Sequence, residues 1–314
     1  MPAKLPTFNS GMHPAIAVEN LFVQYKTKKG EIVDAVKDLS FQVQEGEIVG
    51  FLGPNGAGKS STLKVLMGFV SAREGTASIF GANAGTPESR RQIGYLPEVA
   101  MYYPFLTPLE TLTMYGELQG LKGPWLKKEI FELLDLLGIA DSAKKLNRSM
   151  SKGMLQRVGI AQSLLGKPKL LILDEVTSGL DPVGRKELRN LLKKRQQDGA
   201  TLFFSSHELA EVDMLCDRIL LINKGEFVEG KIVKKLKDEL QTFALVYSNA
   251  TSMIGLTEQV FERDNDRFEA NFDTKDQLLG AIDRIQTGGG KILDIVSKEG
   301  SLENYFVETV EAAA

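Results

Sequence analysis

Cysteine is almost absent. The lone Cys216 cannot close an internal disulfide and supplies no set of thiolates to a metal, a pattern that fits the reducing cytosol. Long apolar runs are missing too. Stretches such as LLILD ending at Asp174 and ILLIN ending at Asn223 run only four or five residues, against the roughly 20 that a bilayer span needs. Any membrane role is therefore peripheral. The opening MPAKLPTFNSGMHPAIAVENL has one early lysine and no apolar segment of signal-peptide length, so no secretion is expected. An excess of positive charge is also lacking: 38 Lys plus Arg stand against 41 Asp plus Glu, a net charge of −3. Without a basic field to hold phosphate backbones, no nucleic-acid partner is expected.

What is present is a chain of 314 residues, 43% of them apolar, enough for a sizeable core and a prior of about two domains. From about Ala15 to Lys237, short aliphatic and β-branched runs alternate with longer amphipathic stretches, which predicts an α/β fold. IVGFLG (Ile48 to Gly53) and KLLILD (Lys169 to Asp174) are uninterrupted apolar strands, suited to a parallel sheet covered on both faces. SFQVQEGE (Ser40 to Glu47) alternates apolar and polar residues and is read as a strand of an antiparallel subsheet. Helical spacing between Pro108 and Gly138, with Pro108 and Pro124 at favoured start positions, predicts helices there.

The pattern changes near residue 240. FALVY (Phe243 to Tyr247) and VFERDNDRFEANF read as strands, the latter a hairpin turning at Asp264-Asn265-Asp266. A helix at Lys275 to Gln286, a triple-glycine break, the strand KILDIV and a helix from Leu302 complete a small α/β domain. The expected organisation is an extension over 1–14, a main domain over 15–240 with a helical part at about 98–165, and a carboxy-terminal domain over 241–314.

IVGFL runs directly into a phosphate-loop pattern, residues Gly53, Pro54, Asn55, Gly56, Ala57, Gly58, Lys59, Ser60 and Ser61. Glycines let consecutive N–H groups converge on phosphate oxygens, and the following helix presents its positive end. Lys59 is placed to reach the β- and γ-phosphates and Ser60 to ligate Mg²⁺. The loop alone leaves kinases, GTPases and many ATPases open. Asp174 ends a buried strand, where a carboxylate is costly without a cation or a hydrogen-bonded partner, and is assigned to the metal. Glu175 follows where the chain leaves the sheet, and is assigned as general base for the attacking water.

MSKGMLQR (Met150 to Arg157), standing before LLILDE, resembles the signature of ATP-binding cassette (ABC) proteins. The other cassette elements follow in order: Tyr25, YLPE at Tyr95 to Glu98, SGLD at Ser178 to Asp181, and SSH ending at His207. The resemblance covers about residues 15–237. It implies a phosphate-loop NTPase cassette with an antiparallel subsheet and a helical subdomain, binding ATP and Mg²⁺. It implies also that two subunits, as a homodimer or heterodimer, face head to tail. Ser151, Lys152, Gly153 and Met154 of one would then cap the ATP on the other's phosphate loop. By the same likeness Ser178, Gly179, Leu180 and Asp181 carry communication between subunits, His207 contacts the γ-phosphate, and Tyr25 stacks on adenine, although Tyr25 also suits plain core packing.

The chain departs from the family pattern at Met150, Lys152 and Met154 of the signature, a form similar to the branch serving export permeases with paired six-helix subunits. Glu98 replaces the usual Gln and is read as a metal ligand with Ser60 and Asp174. Val176 replaces the usual Pro. SLENYF (Ser301 to Phe306) resembles the tail of that same export branch, where a helix either packs back on its sheet or serves dimerisation or regulation. The resemblance implies an ATPase bound to integral-membrane permeases at the cytoplasmic face of the cell membrane. The alternative is an ABC-type ATPase acting on ribosomes or chromosomes, against which stand the single phosphate loop and the lack of sustained heptads. His13, Trp125 and Cys216 receive no assignment.

Overall fold

The computed structural model describes residues 14–99, 101–206, 209–248, 260–263, 267–298 and 301–312. The expected extension over 1–14, apart from Pro14, lies outside them, as do His207 and the turn at Asp264-Asn265-Asp266. By contacts the chain divides into one unit of Met1–Lys231 with Val310–Ala314 and another of Ile232–Thr309. That division falls ahead of the expected one between 240 and 241.

Strands β1 (Ile16–Lys26) and β2 (Ile32–Val43) form an antiparallel pair with Ile16 opposite Val43 and Tyr25 opposite Val33. Leu39, Phe41 and Val43 are buried while Ser40 and Gln42 are half-buried, the alternation expected of a strand with one core face. The strand starts earlier than the expected Ser40 and stops at Val43. Gln44 to Glu47 instead make a turn, in which the Glu47 carboxylate accepts a hydrogen bond from the Gln44 N–H at 2.8 Å. Strand β3 (Ile48–Leu52) is buried throughout and runs through the glycine loop into α1 (Lys59–Leu66). β4 (Glu74–Ile79) and β5 (Ala82–Asn83) complete an antiparallel sheet of order β2-β1-β4-β5.

Helix α2 (Pro87–Arg90) leads to β6 (Ile93–Leu96). Three helices follow: α3 (Pro108–Leu118), α4 (Gly123–Leu136) and α5 (Lys152–Leu164). Thr107 and Glu110 close a capping box around Pro108, and Pro124 stands in the first turn of α4, so both prolines start helices where their missing N–H costs nothing. The remaining elements alternate as β7 (Leu170–Asp174), α6 (Pro182–Gln197), β8 (Thr201–Ser206), α7 (Leu209–Leu215), β9 (Arg218–Asn223) and β10 (Glu226–Ile232).

The second sheet has the order β10-β9-β3-β8-β7-β6, with β9, β3, β8, β7 and β6 mutually parallel. Phe41, Phe51 and Phe203, one from the antiparallel sheet and two from the parallel one, stack with ring centroids 5.3–5.6 Å apart and join the two sheets in one core. Register decides where chemistry falls. Leu52 pairs with Ser206, Asp174 with Ser205 and Leu96 with Leu173, so β3, β8, β7 and β6 end at one level. Their carboxyl ends form the edge where open α/β sheets bind ligands.

The second unit begins with α8 (Val233–Leu240). Its antiparallel sheet runs β12-β13-β11-β14, from β11 (Thr242–Ser248), β12 (Val260–Arg263), β13 (Arg267–Phe272) and β14 (Lys291–Lys298). Helix α9 (Lys275–Thr287) carries Leu278, Ala281 and Ile285 at helical spacing, clustered with Leu245, Tyr247, Phe268 and Phe272. Helix α10 (Leu302–Ala312) closes the described chain. Among the described residues no helix is long and apolar enough to cross a membrane.

Candidate nucleotide site

The loop between β3 and α1 is held by close backbone approaches. A Cβ on Gly53 would lie 2.2 Å from the Ile222 carbonyl oxygen, and one on Gly58, at φ +106°, would lie 2.5 Å from that of Ala35. Glycine is therefore dictated by packing against β9 and β2 as well as by room for phosphate. No side chain caps α1, which leaves its first-turn N–H groups available to an anion.

Lys59, the first residue of α1, is buried, and its Nζ donates to the Gly53 carbonyl at 2.6 Å and to that of Pro54 at 3.3 Å. Burial pushes its pKa below the usual lysine value, while Glu175, Asp174 and Glu98 together push it back up. The ammonium is thus stored inside the loop among carboxylates.

Asp174, buried at the end of β7, accepts a hydrogen bond from the Ser205 hydroxyl on the neighbouring strand. Glu175 follows with a left-handed backbone, φ +51°, and its N–H donates to the Ser205 carbonyl at 3.2 Å. Beside them on β6, Tyr95 is held protonated, its pKa pushed up to about 12 by burial and by Asp174. Asp174, Glu175 and the loop from Asn55 to Ser61 line a cavity of about 410 Å³, whose other walls are Tyr25, Val33, Asp34, Ala35 and Glu98. The Tyr25 hydroxyl is buried without a hydrogen-bond partner, and its ring packs on the core beneath.

Four carboxylates, Asp34, Glu98, Asp174 and Glu175, line the cavity beside one ammonium, Lys59. Such a lining repels a polyphosphate unless a cation comes with it. The oxygen donors Ser60, Asp174 and Glu98 suit a hard divalent ion. Among the described residues no three His, Cys, Asp or Glu side chains form a metal cage. Mg²⁺ needs none, since it commonly takes one or two carboxylates and completes its shell with phosphate and water.

The structure brings Tyr25, Asn55 to Ser61, Glu98, Asp174 and Glu175 into this one cavity. Gly53 and Pro54 act from behind it, as acceptors for Lys59. Ser151, Lys152, Gly153 and Met154 do not line it, nor do Ser178, Gly179, Leu180 and Asp181. Ser151 caps α5 by accepting the Met154 N–H at 3.2 Å, and Asp181 caps α6 by accepting the Gly184 N–H at 3.0 Å. The two segments meet each other, because a Cβ on Gly153 would lie 2.8 Å from the Gly179 carbonyl oxygen.

Sequence reading missed Ser205 and the wall formed by Val33, Asp34 and Ala35. The parallel pairing of two apolar strands, each ending in a polar residue, was the available signal for Ser205 beside Asp174. The wall follows from extending the Tyr25 strand into a hairpin through KTKKGEI, a stretch whose polar composition hides a strand start.

A twisted parallel sheet with a strand-to-helix phosphate loop at its carboxyl edge defines a phosphate-loop nucleoside triphosphatase. The family model for ABC transporters matches residues 36–178. An uncharacterised ABC transporter ATP-binding protein of Synechocystis sp. is 35% identical over 278 residues, covering 88% of this chain and 78% of its own length. The bacitracin transport ATP-binding protein BcrA of Bacillus licheniformis is 34% identical over 310 residues, covering 95% of this chain and 98% of its own. A solved dimer of the ATP-binding cassette MJ0796, in a post-hydrolysis state bound to ADP and Pi, superposes with a TM-score of 0.65 at 26% identity, covering 69% of this chain and 98% of that one. The chain belongs to the ABC transporter family, as an ATP-binding subunit that hydrolyses ATP. ABC ATPases act as dimers alongside separate membrane permease subunits.

Proposed function

We propose that this chain powers export through separate permeases at the cytoplasmic face of the membrane, as one of two ATPase subunits that close on ATP and reopen after its hydrolysis. The observation that carries the dimer is the separation of Ser151 to Met154 from the chain's own nucleotide cavity. Ser151 and Lys152 are exposed at the start of α5, where the free N–H groups and the helix dipole favour an anion supplied from outside the chain. The likeness to a bacitracin transport protein along nearly the whole of both chains supports transport, and the variant signature with the SLENYF tail supports export.

At each composite site Lys59 neutralises the β- and γ-phosphates, and Glu175 takes the proton of the attacking water. Tyr25 offers a ring face to the adenine, and His207 orients the γ-phosphate. Ser60, Asp174 and Glu98 would hold Mg²⁺, which would supply charge stabilisation to the phosphates. The permease docks beside Glu98. Val99, Met101, Tyr103 and Phe105 are 55–85% exposed there, an apolar group in keeping with a protein partner. Its base is fixed, since the Tyr102 hydroxyl donates to Gln162 Oε1 on α5 at 3.0 Å and the Asn147 amide donates to the Tyr103 carbonyl at 3.1 Å.

Mixing two defective subunits tests the pairing. Ser151→Arg and Lys59→Ala are each expected to be poor alone, whereas a verified heterodimer of the two retains one intact site, combining Lys59 of one subunit with Ser151 of the other. Its ATPase rate is expected to exceed that of either mutant. A mixture that never does so removes the head-to-tail arrangement.

Glu98→Gln keeps the shape of the side chain and removes one charge. A neutral amide is the weaker hard-cation ligand, so the Mg²⁺ dependence of ATPase activity is expected to shift to higher concentration. Permease stimulation is expected to change more than ATP affinity. Unchanged Mg²⁺ titration and unchanged stimulation would make Glu98 a solvated loop acid.

A further inference from the structure

We propose that Gln156 is the positioning residue for Glu175, so that the helix whose start caps the partner's ATP also sets the hydrolytic carboxylate of its own chain. The inference rests on the reading of Glu175 as general base. Gln156 lies in the second turn of α5 and is only 4% exposed. Its Nε2 donates to the Val176 carbonyl at 2.9 Å, directly behind Glu175.

The backbone around Glu175 shows why that bond matters. The Glu175 N–H is taken by the Ser205 carbonyl, the Glu175 carbonyl by the Ser178 N–H at 3.1 Å, and the Thr177 carbonyl by the Leu180 N–H at 3.2 Å. Val176 itself is buried, and its carbonyl receives the Gln156 amide. A buried carbonyl is costly to leave unpaired, so loss of that donor favours a shift of the 176–177 peptide, and with it of the Val176 backbone that follows Glu175. Glu175 is sensitive to such a shift because its φ of +51° is a conformation that a residue with a Cβ adopts only when its surroundings impose it.

A second contact makes the linkage rigid. The first turn of α5 lies against the turn after Glu175, with Gly153 in close approach to the Gly179 carbonyl. Helix α5 therefore grips the segment 176–179 at two points, one turn apart on the helix. When a γ-phosphate from the partner settles on Ser151, any displacement of α5 is carried to the peptide that aims Glu175. The two ATP sites of a dimer are thereby coupled through one helix in each subunit.

The test compares Gln156→Met in the wild-type chain and in Glu175→Gln. Methionine keeps the length and helix propensity of glutamine and removes the donor. Steady-state kcat is expected to fall by about 10- to 100-fold, the effect of misplacing a reacting group by about 1 Å. Affinity for a fluorescent ATP analogue is expected to stay within about twofold, because the phosphate loop is untouched. In the Glu175→Gln background the residual single-turnover rate is expected not to fall further, since Gln156 acts through the carboxylate already lost.

Gln156→Glu gives an independent variant of the same size. Its activity relative to wild type is expected to rise as pH is lowered from 8 to 6, because a protonated carboxyl regains an O–H donor toward Val176. Absence of that recovery in a folded, nucleotide-binding protein overturns the proposal. Undiminished turnover in Glu175→Gln overturns the base assignment and the inference with it. A Glu175→Gln that has lost turnover, beside a Gln156→Met that turns over normally or that loses the same factor in both backgrounds, overturns the inference alone.

Discussion

Glu175→Gln is expected to bind ATP and scarcely turn it over. The amide has the size and shape of the carboxylate, so the cavity, the Ser205 contacts and the left-handed backbone at φ +51° have no reason to change. What is lost is basicity. An amide cannot accept the proton of the attacking water, and general-base assistance is worth about 10²- to 10⁴-fold. Removal of one of the cavity's four carboxylates also lessens repulsion toward the triphosphate, so ATP affinity is expected to hold or rise. With binding intact and hydrolysis blocked, the ATP-bound dimer is expected to accumulate. Size-exclusion chromatography with ATP and a steady-state phosphate assay check both halves. Near wild-type hydrolysis would remove Glu175 from the role of base.

Lys59→Ala acts on binding as well as on chemistry. Lys59 is the ammonium of a cavity whose lining otherwise carries four carboxylates, and three of these already bear on it through space. Its loss removes charge-assisted contacts to phosphate worth about 1.5–3 kcal/mol, or roughly 10- to 100-fold in affinity. The carboxylates left behind then oppose ATP, adding to that loss. Titration with a fluorescent ATP analogue is expected to show the weakened binding, and turnover is expected to fall with it. Retention of both affinity and turnover would overturn the phosphate-loop assignment.

The part of the site read most directly from sequence is the part that is contiguous. Ile48 to Ser61 contains its own strand, turn and helix start, and Leu170 to Glu175 contains its own buried strand and terminal acids. Each carries a local physical signature, an apolar run ending in glycines or in carboxylates. The second unit was legible for the same reason, since the alternation in Phe243 to Tyr247 and the 3.6-residue spacing in α9 are properties of short segments. Boundaries were less so. The strand expected over Ser40–Glu47 is displaced to Ile32–Val43 because a carboxylate-to-backbone bond at Glu47 ends it in a turn.

By itself the sequence determined an α/β fold with a phosphate loop, because strand-to-helix glycine loops and strand-end acids are local patterns with few physical uses, and the ordered cassette motifs narrowed that to an ATPase. Its short apolar runs agree with the helices of the described residues, none of which is long and apolar enough to cross a membrane. The tertiary structure decided what local patterns cannot encode. Parallel register set Ser205 against Asp174, and the β1–β2 hairpin placed Val33 to Ala35 around the cavity. Packing of α5 joined Gln156 to Val176, 20 residues apart along the chain. It also left Ser151 outside its own chain's site. These are contacts between distant segments, fixed by the burial and hydrogen-bond satisfaction of the whole core, and no single stretch of sequence contains both partners.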